Sequence, residues 1–424
     1  MKKRELSSEQ YVSNFLEHIE KREPAVGAWS YIEPEMAIQQ AKEADKRWKS
    51  NKAGKLNGLP IGIKDIIDTK DMPTENGSKI CENRKPDEDA HLVKLLRDAG
   101  AVIMGKCVTT EFALSGPGKT KNPHDLECTP GGSSSGSAAA VCDNMVPLSI
   151  GSQTGGSVLR PASFTGILGF KPTFGTISRS GMSPISQRLD HPGIYANTIE
   201  DIDLVASVLL SYDQNDLDMI KNYEYKTNDK INPSPKFAFI KGPVWDYGEQ
   251  DMQEGIINFV KNAPLDIVDL ELDSIFSKAA KSHEIIMNGS IARSLYKYYE
   301  NEKEKLHPFT VSRIEAGIPV SARDYIEAIE NAKLMEKSLK EVFKEYDAII
   351  TPAAPGQAPR DLMNTGNAIF NGYWTMMGIP AISLPLLKGK DNLPIGVQVI
   401  TSWENDLDLL KISEFILNKI KKAC

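Results

Sequence analysis

The sequence predicts an α/β fold in which helices pack in layers around a sheet. Long amphipathic helical segments alternate with short apolar segments of strand length, which is the pattern of such layers. The chain is 41% hydrophobic, enough for a sizeable core, and it contains no internal repeat or low-complexity tail. Its 424 residues alone would allow two or three domains.

The first helix is predicted from Ser7 to about Lys21. Ser7 and Gln10 have the spacing of a capping box, which satisfies backbone N–H groups at a helix start. The apolar side chains recur at helical spacing on one face, at Val12, Phe15, Leu16 and Ile19.

The remaining elements follow from the same two periodicities. Further helices are predicted over Glu35–Trp48, His91–Ala99, Ile275–Tyr298, Ala322–Phe343 and Leu407–Lys421. Strands are predicted over Ala101–Met104, Lys236–Ile240, Ile267–Leu272, Ala348–Thr351 and Pro394–Thr401. The polar, Pro-containing segment Lys226–Pro235 is predicted to be a loose connection.

Charge and hydropathy exclude several function classes. The net charge is −7 with interspersed signs, so no basic surface for nucleic acid is expected. No apolar stretch approaches the roughly 20 residues that span a bilayer, so no membrane association is expected. The basic start MKKRELSSEQ has no apolar core after it, which argues against a secretory signal.

The five cysteines are scattered along the chain without Cys-x-x-Cys spacing, at positions 81, 107, 128, 142 and 424. This pattern favours free thiols in a reducing compartment over a disulfide framework or a zinc site. We therefore expect a cytoplasmic protein without a metal.

The most informative segment is Gly131–Ala162, which holds two Gly-Gly-Ser turns separated by small and apolar residues. A flexible linker would not carry the apolar run Ala138–Val141, so the segment is predicted to be buried. Glycines let the backbone approach a ligand and present N–H groups to a developing negative charge. The hydroxyl of Ser157, at the end of the second turn, would lie beside those N–H groups, as acyl transfer requires.

Two motifs together resemble the amidase signature family, whose members use a Ser–cis-Ser–Lys triad. They are this Gly/Ser segment and the upstream Leu59–Asp65, LPIGIKD. The resemblance continues through Gly166–Thr173, Gly378–Pro385 and Leu393–Gln398, and it is weakest between about residues 210 and 345. It implies one large domain over 1–424 with a central mixed β-sheet wrapped by helices. Within it would lie an N-terminal helical region (about 1–50), a signature core (about 55–205) and a variable helical region (about 210–345).

The resemblance also implies roles for particular residues. Ser157 would be the nucleophile, Ser133 the bridging serine after a cis peptide bond, and Lys64 the base. The oxyanion hole would be formed by the N–H groups of Thr154, Gly155, Gly156 and Ser157. No metal or organic cofactor is required, and the substrate-binding residues are not implied.

A lysine acts as a base only if its amine is neutral, and burial lowers its pKa. Lys64 follows the apolar run Leu59–Ile63, so a strand could carry it into the interior. Asp65 and Asp68 would oppose the shift if they faced the amine. A lysine taken alone is more often a surface residue, so the protonation state stays open at this point.

The chain departs from the family pattern at two positions. Gln153 stands where an acidic residue is usual, and Arg160 falls one position late, directly before Pro161. Both departures weaken assignment to the A subunit of the tRNA-dependent amidotransferase. The element Ser186–Gly193, with Leu189-Asp190, resembles the stand-alone amidase branch and is expected at the pocket entrance.

Three assignments near the pocket have two interpretations each. Arg160 could bind an anionic substrate, but pairing with a carboxylate is favoured. Arg313 lies near where a glutamine-handling relative grips the substrate carboxylate, but a helix-surface salt bridge is favoured. An aromatic and Met cluster could wall an acyl pocket or pack in the core: Phe370, Tyr373, Trp374, Met376 and Met377.

The leading hypothesis is therefore a stand-alone amidase that hydrolyses a small carboxamide, or a carbamoyl or ureido compound. The alternative is the glutamine-hydrolysing A subunit of a tRNA-dependent amidotransferase, which predicts a stable partner protein. A third hypothesis is an inactive interaction protein on the same fold, which the filled triad positions disfavour. A homodimer is expected only from the resemblance to this family.

Overall fold

One mixed β-sheet runs through the computed structural model, which describes residues 5–114, 116–226 and 232–423. Its eleven strands are β1 (Trp29–Ile32), β2 (Pro60–Lys64), β3 (Val102–Cys107), β4 (Leu148–Gln153), β5 (Leu168–Lys171), β6 (His191–Ala196), β7 (Lys236–Phe239), β8 (Asp266–Asp269), β9 (Ala348–Pro352), β10 (Ala381–Lys388) and β11 (Pro394–Ile400). Their spatial order is β1-β3-β2-β4-β6-β5-β10-β11-β9-β7-β8. The α/β prediction with a central mixed sheet is confirmed.

Strands β2 and β4 lie side by side and run in the same direction. Every residue of both strands is buried, as expected for parallel strands covered on both faces. Parallel neighbours end at the same edge of a sheet, so the last residues of these strands, Lys64 and Gln153, come close together. This edge is where the Gly/Ser segment folds over the sheet.

Twelve α-helices cover the sheet within the described residues. They are α1 (Ser8–Val26), α2 (Pro34–Lys49), α3 (His91–Asp98), α4 (Ser135–Cys142), α5 (Leu159–Thr165), α6 (Ile199–Leu209), α7 (Gln250–Asn262), α8 (Ala279–Glu302), α9 (Pro308–Gly317), α10 (Ala322–Glu345), α11 (Ile369–Met376) and α12 (Asp406–Ala423). No helix in the ranges 5–114, 116–226 and 232–423 is long and apolar enough to cross a membrane.

The predicted helices and strands all occur, with shifted ends. The capping box of α1 is formed in both directions between Ser7 and Gln10. The helix predicted from Ile275 begins instead as a 3₁₀ turn, Ser274–Lys278, and becomes α-helical at Ala279. Half of the predicted loose connection, residues 227–231, lies outside the described residues, as does the cysteine at 424.

Candidate active site

Lys64 ends β2 with its side chain in the interior of the protein, at 0% exposure. Its Nζ is 2.7 Å from Ser133 Oγ and 2.8 Å from Ser152 Oγ. Ser152 reaches this amine because β4 ends beside β2. The predicted strand before Lys64 is confirmed, and the lysine is not a surface residue.

Burial lowers the pKa of the Lys64 amine well below its usual value. The negative charge of Asp190 opposes this shift in pKa, and the positive charge of Arg160 adds to it. The two carboxylates suspected from the sequence point elsewhere, because Asp65 faces Lys106 and Asp68 pairs with Arg84. Among the described residues the amine therefore has hydroxyl partners only, and burial favours its neutral form.

Ser133 follows a cis peptide bond between Gly132 and Ser133, as the resemblance implies. The residue is 1% exposed and precedes α4 by two positions. Small residues are required here, since a Cβ at Gly136 would lie 2.2 Å from the carbonyl oxygen of Ala28. The predicted burial of this segment is confirmed, and it brings the Ser133 hydroxyl to Lys64.

Ser157 lies in the turn between β4 and α5, at 8% exposure, and lines a cavity of about 570 Å³. Tyr195 fixes its backbone, since the Tyr195 hydroxyl donates to the Ser157 carbonyl at 2.9 Å. Among the described residues, no hydrogen bond forms at Ser157 Oγ. The structure thus joins Lys64 to Ser133 directly, whereas the step from Ser133 to Ser157 has no hydrogen bond in this state.

The loop before Ser157 presents consecutive amides near the cavity. In the described part of the chain, no protein acceptor is found for the N–H groups of Thr154, Gly155, Gly156 and Ser157. The loop is held from behind, where the Thr154 hydroxyl donates to Asp190 Oδ1 at 2.7 Å. Such an arrangement can bind an oxyanion, because unpaired backbone donors are already in place before charge develops.

Charged side chains also line the cavity, namely Lys281 and Glu284 of α8 and Arg313 of α9. His283 of α8 lines it too and lies against the turn, with its Nε2 3.3 Å from the Thr154 carbonyl. Burial lowers the pKa of His283 to about 4, so its imidazole is neutral at physiological pH. These residues lie in the variable region, where the family motifs gave no guidance.

The prediction that Arg313 forms a helix-surface salt bridge is wrong. Its side chain faces the cavity, and its Nε is buried without a hydrogen-bond partner among the described residues. Burial lowers the pKa of Arg313, and the charge of Glu284 opposes that shift. The sequence could not reveal this orientation, because it depends on how α9 packs against α8.

The carboxylate pairing favoured for Arg160 is also wrong. This fully buried guanidinium donates from Nε to the Thr365 carbonyl at 2.7 Å and from Nη2 to the Gly132 carbonyl. Burial lowers its pKa to about 10, so it stays charged. Main-chain oxygens of two loops satisfy it where the sequence suggested an acidic side chain.

Two further expectations about the pocket are corrected. The Ser186–Gly193 element does not line the cavity; Asp190 is buried behind Thr154 instead. Of the aromatic and Met cluster, only Tyr373 lines this cavity, while Phe370 and Trp374 are buried in the core. The remaining two, Met376 and Met377, border a separate surface cavity.

Sequence reasoning missed Ser152 and His283. Ser152 could have been found from its place at the end of a strand parallel to that of Lys64, which puts both residues at one sheet edge. His283 carried no signal, because nothing in its helix links it to the Gly/Ser segment in sequence.

The mixed sheet and the buried lysine–serine pair beside a turn of unpaired amides are typical of an amidohydrolase. The chain belongs to the Amidase family, whose model matches residues 10–410. It is thus an enzyme that hydrolyses carbon–nitrogen bonds.

Known proteins are similar to this chain along most of their length. The A subunit of glutamyl-tRNA(Gln) amidotransferase from Clostridium botulinum is 33% identical over 452 aligned residues, covering 94% of this chain and 91% of the relative. The structure of the Thermotoga maritima protein of the same name matches with a TM-score of 0.78 at 29% identity, covering 95% and 90% of the two chains. The peptide amidase of Stenotrophomonas maltophilia matches with a TM-score of 0.80 at 25% identity, covering 97% and 93%.

Proposed function

We propose that the chain is a stand-alone amidase that cleaves a small carboxamide, or a carbamoyl or ureido compound, through an acyl-enzyme on Ser157. The observation that carries the proposal is the fully buried Lys64 amine, which within ranges 5–114, 116–226 and 232–423 is bonded only to hydroxyls, at 2.7 and 2.8 Å. A neutral amine in that position can take up a proton, which an acyl-transfer base must do.

In the proposed reaction, Ser157 attacks the carbonyl carbon of the amide while its proton passes through Ser133 to Lys64. The N–H groups of the Thr154–Ser157 turn bind the resulting oxyanion. Lys64 returns the proton through Ser133 to the leaving nitrogen as the carbon–nitrogen bond breaks. Water then attacks the acyl-enzyme by the reverse path and releases the acid.

The cavity favours a small substrate that carries a negative group. A volume of about 570 Å³ suits a small molecule. Three cationic side chains, Arg160, Lys281 and Arg313, line it against one carboxylate, Glu284. The buried Nε of Arg313 has no acceptor among the described residues, and a substrate carboxylate would supply one.

A glutamine-hydrolysing amidotransferase component is the second candidate. The relatives named as A subunits of glutamyl-tRNA(Gln) amidotransferase favour it, and Arg313 suits the carboxylate of glutamine as well as that of another amide. This candidate requires a partner protein to receive the ammonia. The expected homodimer is a separate proposal, which sedimentation of the isolated chain tests.

The deciding experiment measures ammonia release by the isolated chain from glutamine, neutral aliphatic and aromatic amides, carboxylated amides and ureido acids. Ser157→Ala serves as the blank. Turnover of a non-glutamine amide that depends on Ser157 supports the stand-alone amidase. Activity confined to glutamine, or appearing only with a co-purified partner, supports the second candidate.

In the same assay, the variant Arg313→Gln tests whether Arg313 binds a substrate carboxylate. It keeps a polar side chain but removes the charge, so KM should rise for carboxylated amides and stay unchanged for neutral ones. An equal effect on both classes would contradict a carboxylate-binding role. Arg323→Gln, an exposed arginine outside the cavity, is the matched control.

A further inference from the structure

The side chain of Gln153, at the end of β4, spans the turn that contains Ser157. Its Oε1 accepts hydrogen bonds from the backbone N–H of Val158 at 2.8 Å and of Leu159 at 3.0 Å. Because both partners are donors, this oxygen is assigned without ambiguity. The amide nitrogen must then face the other way, and Nε2 donates to Thr375 Oγ1 at 2.9 Å.

Thr375, on α11, accepts the hydrogen bond from Gln153 and donates one of its own. Its hydroxyl has a single proton, and its oxygen already accepts from Gln153, so the proton is free to be donated. The shortest acceptor is the carbonyl of Gly155 at 2.7 Å, followed by the carbonyl of Asn371 at 3.0 Å in its own helix. The chain of donors thus runs from Gln153 through Thr375 to Gly155.

The Gly155 carbonyl belongs to the same planar peptide as the Gly156 N–H. In a trans peptide these two groups point to opposite sides, so holding one fixes the direction of the other. His283 acts similarly one residue earlier, where its Nε2 lies 3.3 Å from the Thr154 carbonyl. The glycines gain in this way the rigidity that their own backbones lack.

We propose that Gln153 and Thr375 are positioning residues that aim the Gly156 N–H at the oxyanion. The inference rests on the proposed role of Ser157 as nucleophile. A glutamate at position 153 has the length of Gln153 and two acceptor oxygens but no proton for Thr375, so it would draw the Thr375 hydroxyl away from Gly155.

The test uses Thr375→Val, which replaces the hydroxyl by a methyl group of similar size. The readout is the rate of Ser157 modification by a fluorophosphonate, whose phosphoryl oxygen occupies the oxyanion position. We expect the maximal rate of modification to fall about 10- to 100-fold, with little change in the half-saturating probe concentration. Thr375→Ser restores the hydroxyl and should recover most of the rate.

Thr165→Val is the matched control. Thr165 is equally buried, and its hydroxyl also donates to a backbone carbonyl at 2.7 Å, but it lies outside the Gln153–Thr375 relay. Rates are divided by the fraction of folded protein, which thermal denaturation reports for each variant. The control should react within about twofold of the wild type.

A folded Thr375→Val that reacts at the wild-type rate would overturn the inference, as would a Thr375→Ser that reacts no faster than Thr375→Val. If Thr375→Val does not fold, Gln153→Glu replaces it, with the same loss of rate expected and the same wild-type rate as contradiction. Failure of the wild type to react at Ser157 would instead refute the proposed function, so the two failures are distinguishable.

Discussion

Two lysines on adjacent parallel strands have the same burial and opposite surroundings. Lys64 ends β2, and Lys106 lies on β3, where its register partner is Ile63. Both side chains have 0% exposure, and burial lowers the pKa of both amines. They differ in the oxygen atoms that they contact.

Lys106 has a carboxylate partner, because its Nζ lies 3.3 Å from Asp65 Oδ1 and also donates to the Ile67 carbonyl at 2.9 Å. The charge of Asp65 counteracts the burial of Lys106, so its pKa falls less. In the described part of the chain, Lys64 bonds only to the hydroxyls of Ser133 and Ser152. The difference teaches that, at equal burial, the groups around a core lysine decide how far its pKa falls.

The largest contrast should appear when each lysine is replaced by Met. Lys64→Met removes the proposed base, so turnover should fall at least ~10³-fold while the protein stays folded. The measurement is Ser157-dependent ammonia release per folded enzyme. A variant that keeps near wild-type turnover at neutral pH would contradict the role of Lys64.

Lys106→Met should instead affect stability. It leaves the Asp65 carboxyl buried without its cation, which costs about 3–5 kcal/mol in the free energy of unfolding. Denaturant titration measures this loss, and turnover per folded enzyme should be retained. A large loss of turnover without loss of stability would show that the two lysines do not have separate roles.

Ser152→Ala tests the second hydroxyl at Lys64. It removes one of the two bonds that hold the amine, so kcat should fall about tenfold, the rate equivalent of one hydrogen bond. Ser149→Ala is the matched control, since Ser149 lies on the same strand and its hydroxyl donates to the Ser137 carbonyl. Equal effects of the two substitutions on kcat would argue that Ser152 only supports the strand.

Asp190→Asn tests the electrostatics of Lys64. The charge of Asp190 raises the pKa of Lys64, whereas burial and Arg160 lower it. Removing that charge should lower this pKa further, and the amine would stay neutral in more acidic solution. The acid limb of the kcat/KM profile should therefore move to lower pH, and a shift to higher pH would contradict this assignment.

The smallest effect concerns stability and pH. Because the folded protein lowers the pKa of Lys64, the unfolded chain binds more protons between that pKa and 10.5. Stability should rise with pH across this window, and Lys64→Met should show a shallower rise in unfolding free energy. If unfolding free energy rose equally with pH in the wild type and the variant, the pKa of Lys64 would not be lowered in the folded state.

Local patterns predicted six of the twelve described helices, α1, α2, α3, α8, α10 and α12, because capping residues and apolar periodicity act over a few neighbours. The capping box of α1 and the apolar strand before Lys64 are such cases. Helices α4, α5, α6, α7, α9 and α11 were not predicted, and neither were strands β1, β4, β5, β6 and β10. Of these helices, α9 and α11 pack against α8, a contact that has no local signature in the sequence. Element ends also depended on tertiary contacts, as at Ala279.

In the site, too, local motifs were predictable and contacts between distant segments were not. Family motifs led to Lys64, Ser133 and the glycine turn, but they could not identify what surrounds them. The bonds of Arg160 to two loop carbonyls and the orientation of Arg313 join segments far apart in sequence. Such contacts have no local signature, which is why the sequence favoured ion pairs for both residues.

The most direct test of the Lys64 assignment is the pH dependence of Ser157 modification by a fluorophosphonate, followed in the wild type, Lys64→Met and Lys106→Met. We expect modification at Ser157 alone, with a rate that falls as the solution becomes acidic and Lys64 takes up a proton. Lys106→Met should keep that profile, and Lys64→Met should lose both the rate and the acid limb. A Lys64→Met variant that reacts as fast as the wild type, with the same acid limb, would contradict the account.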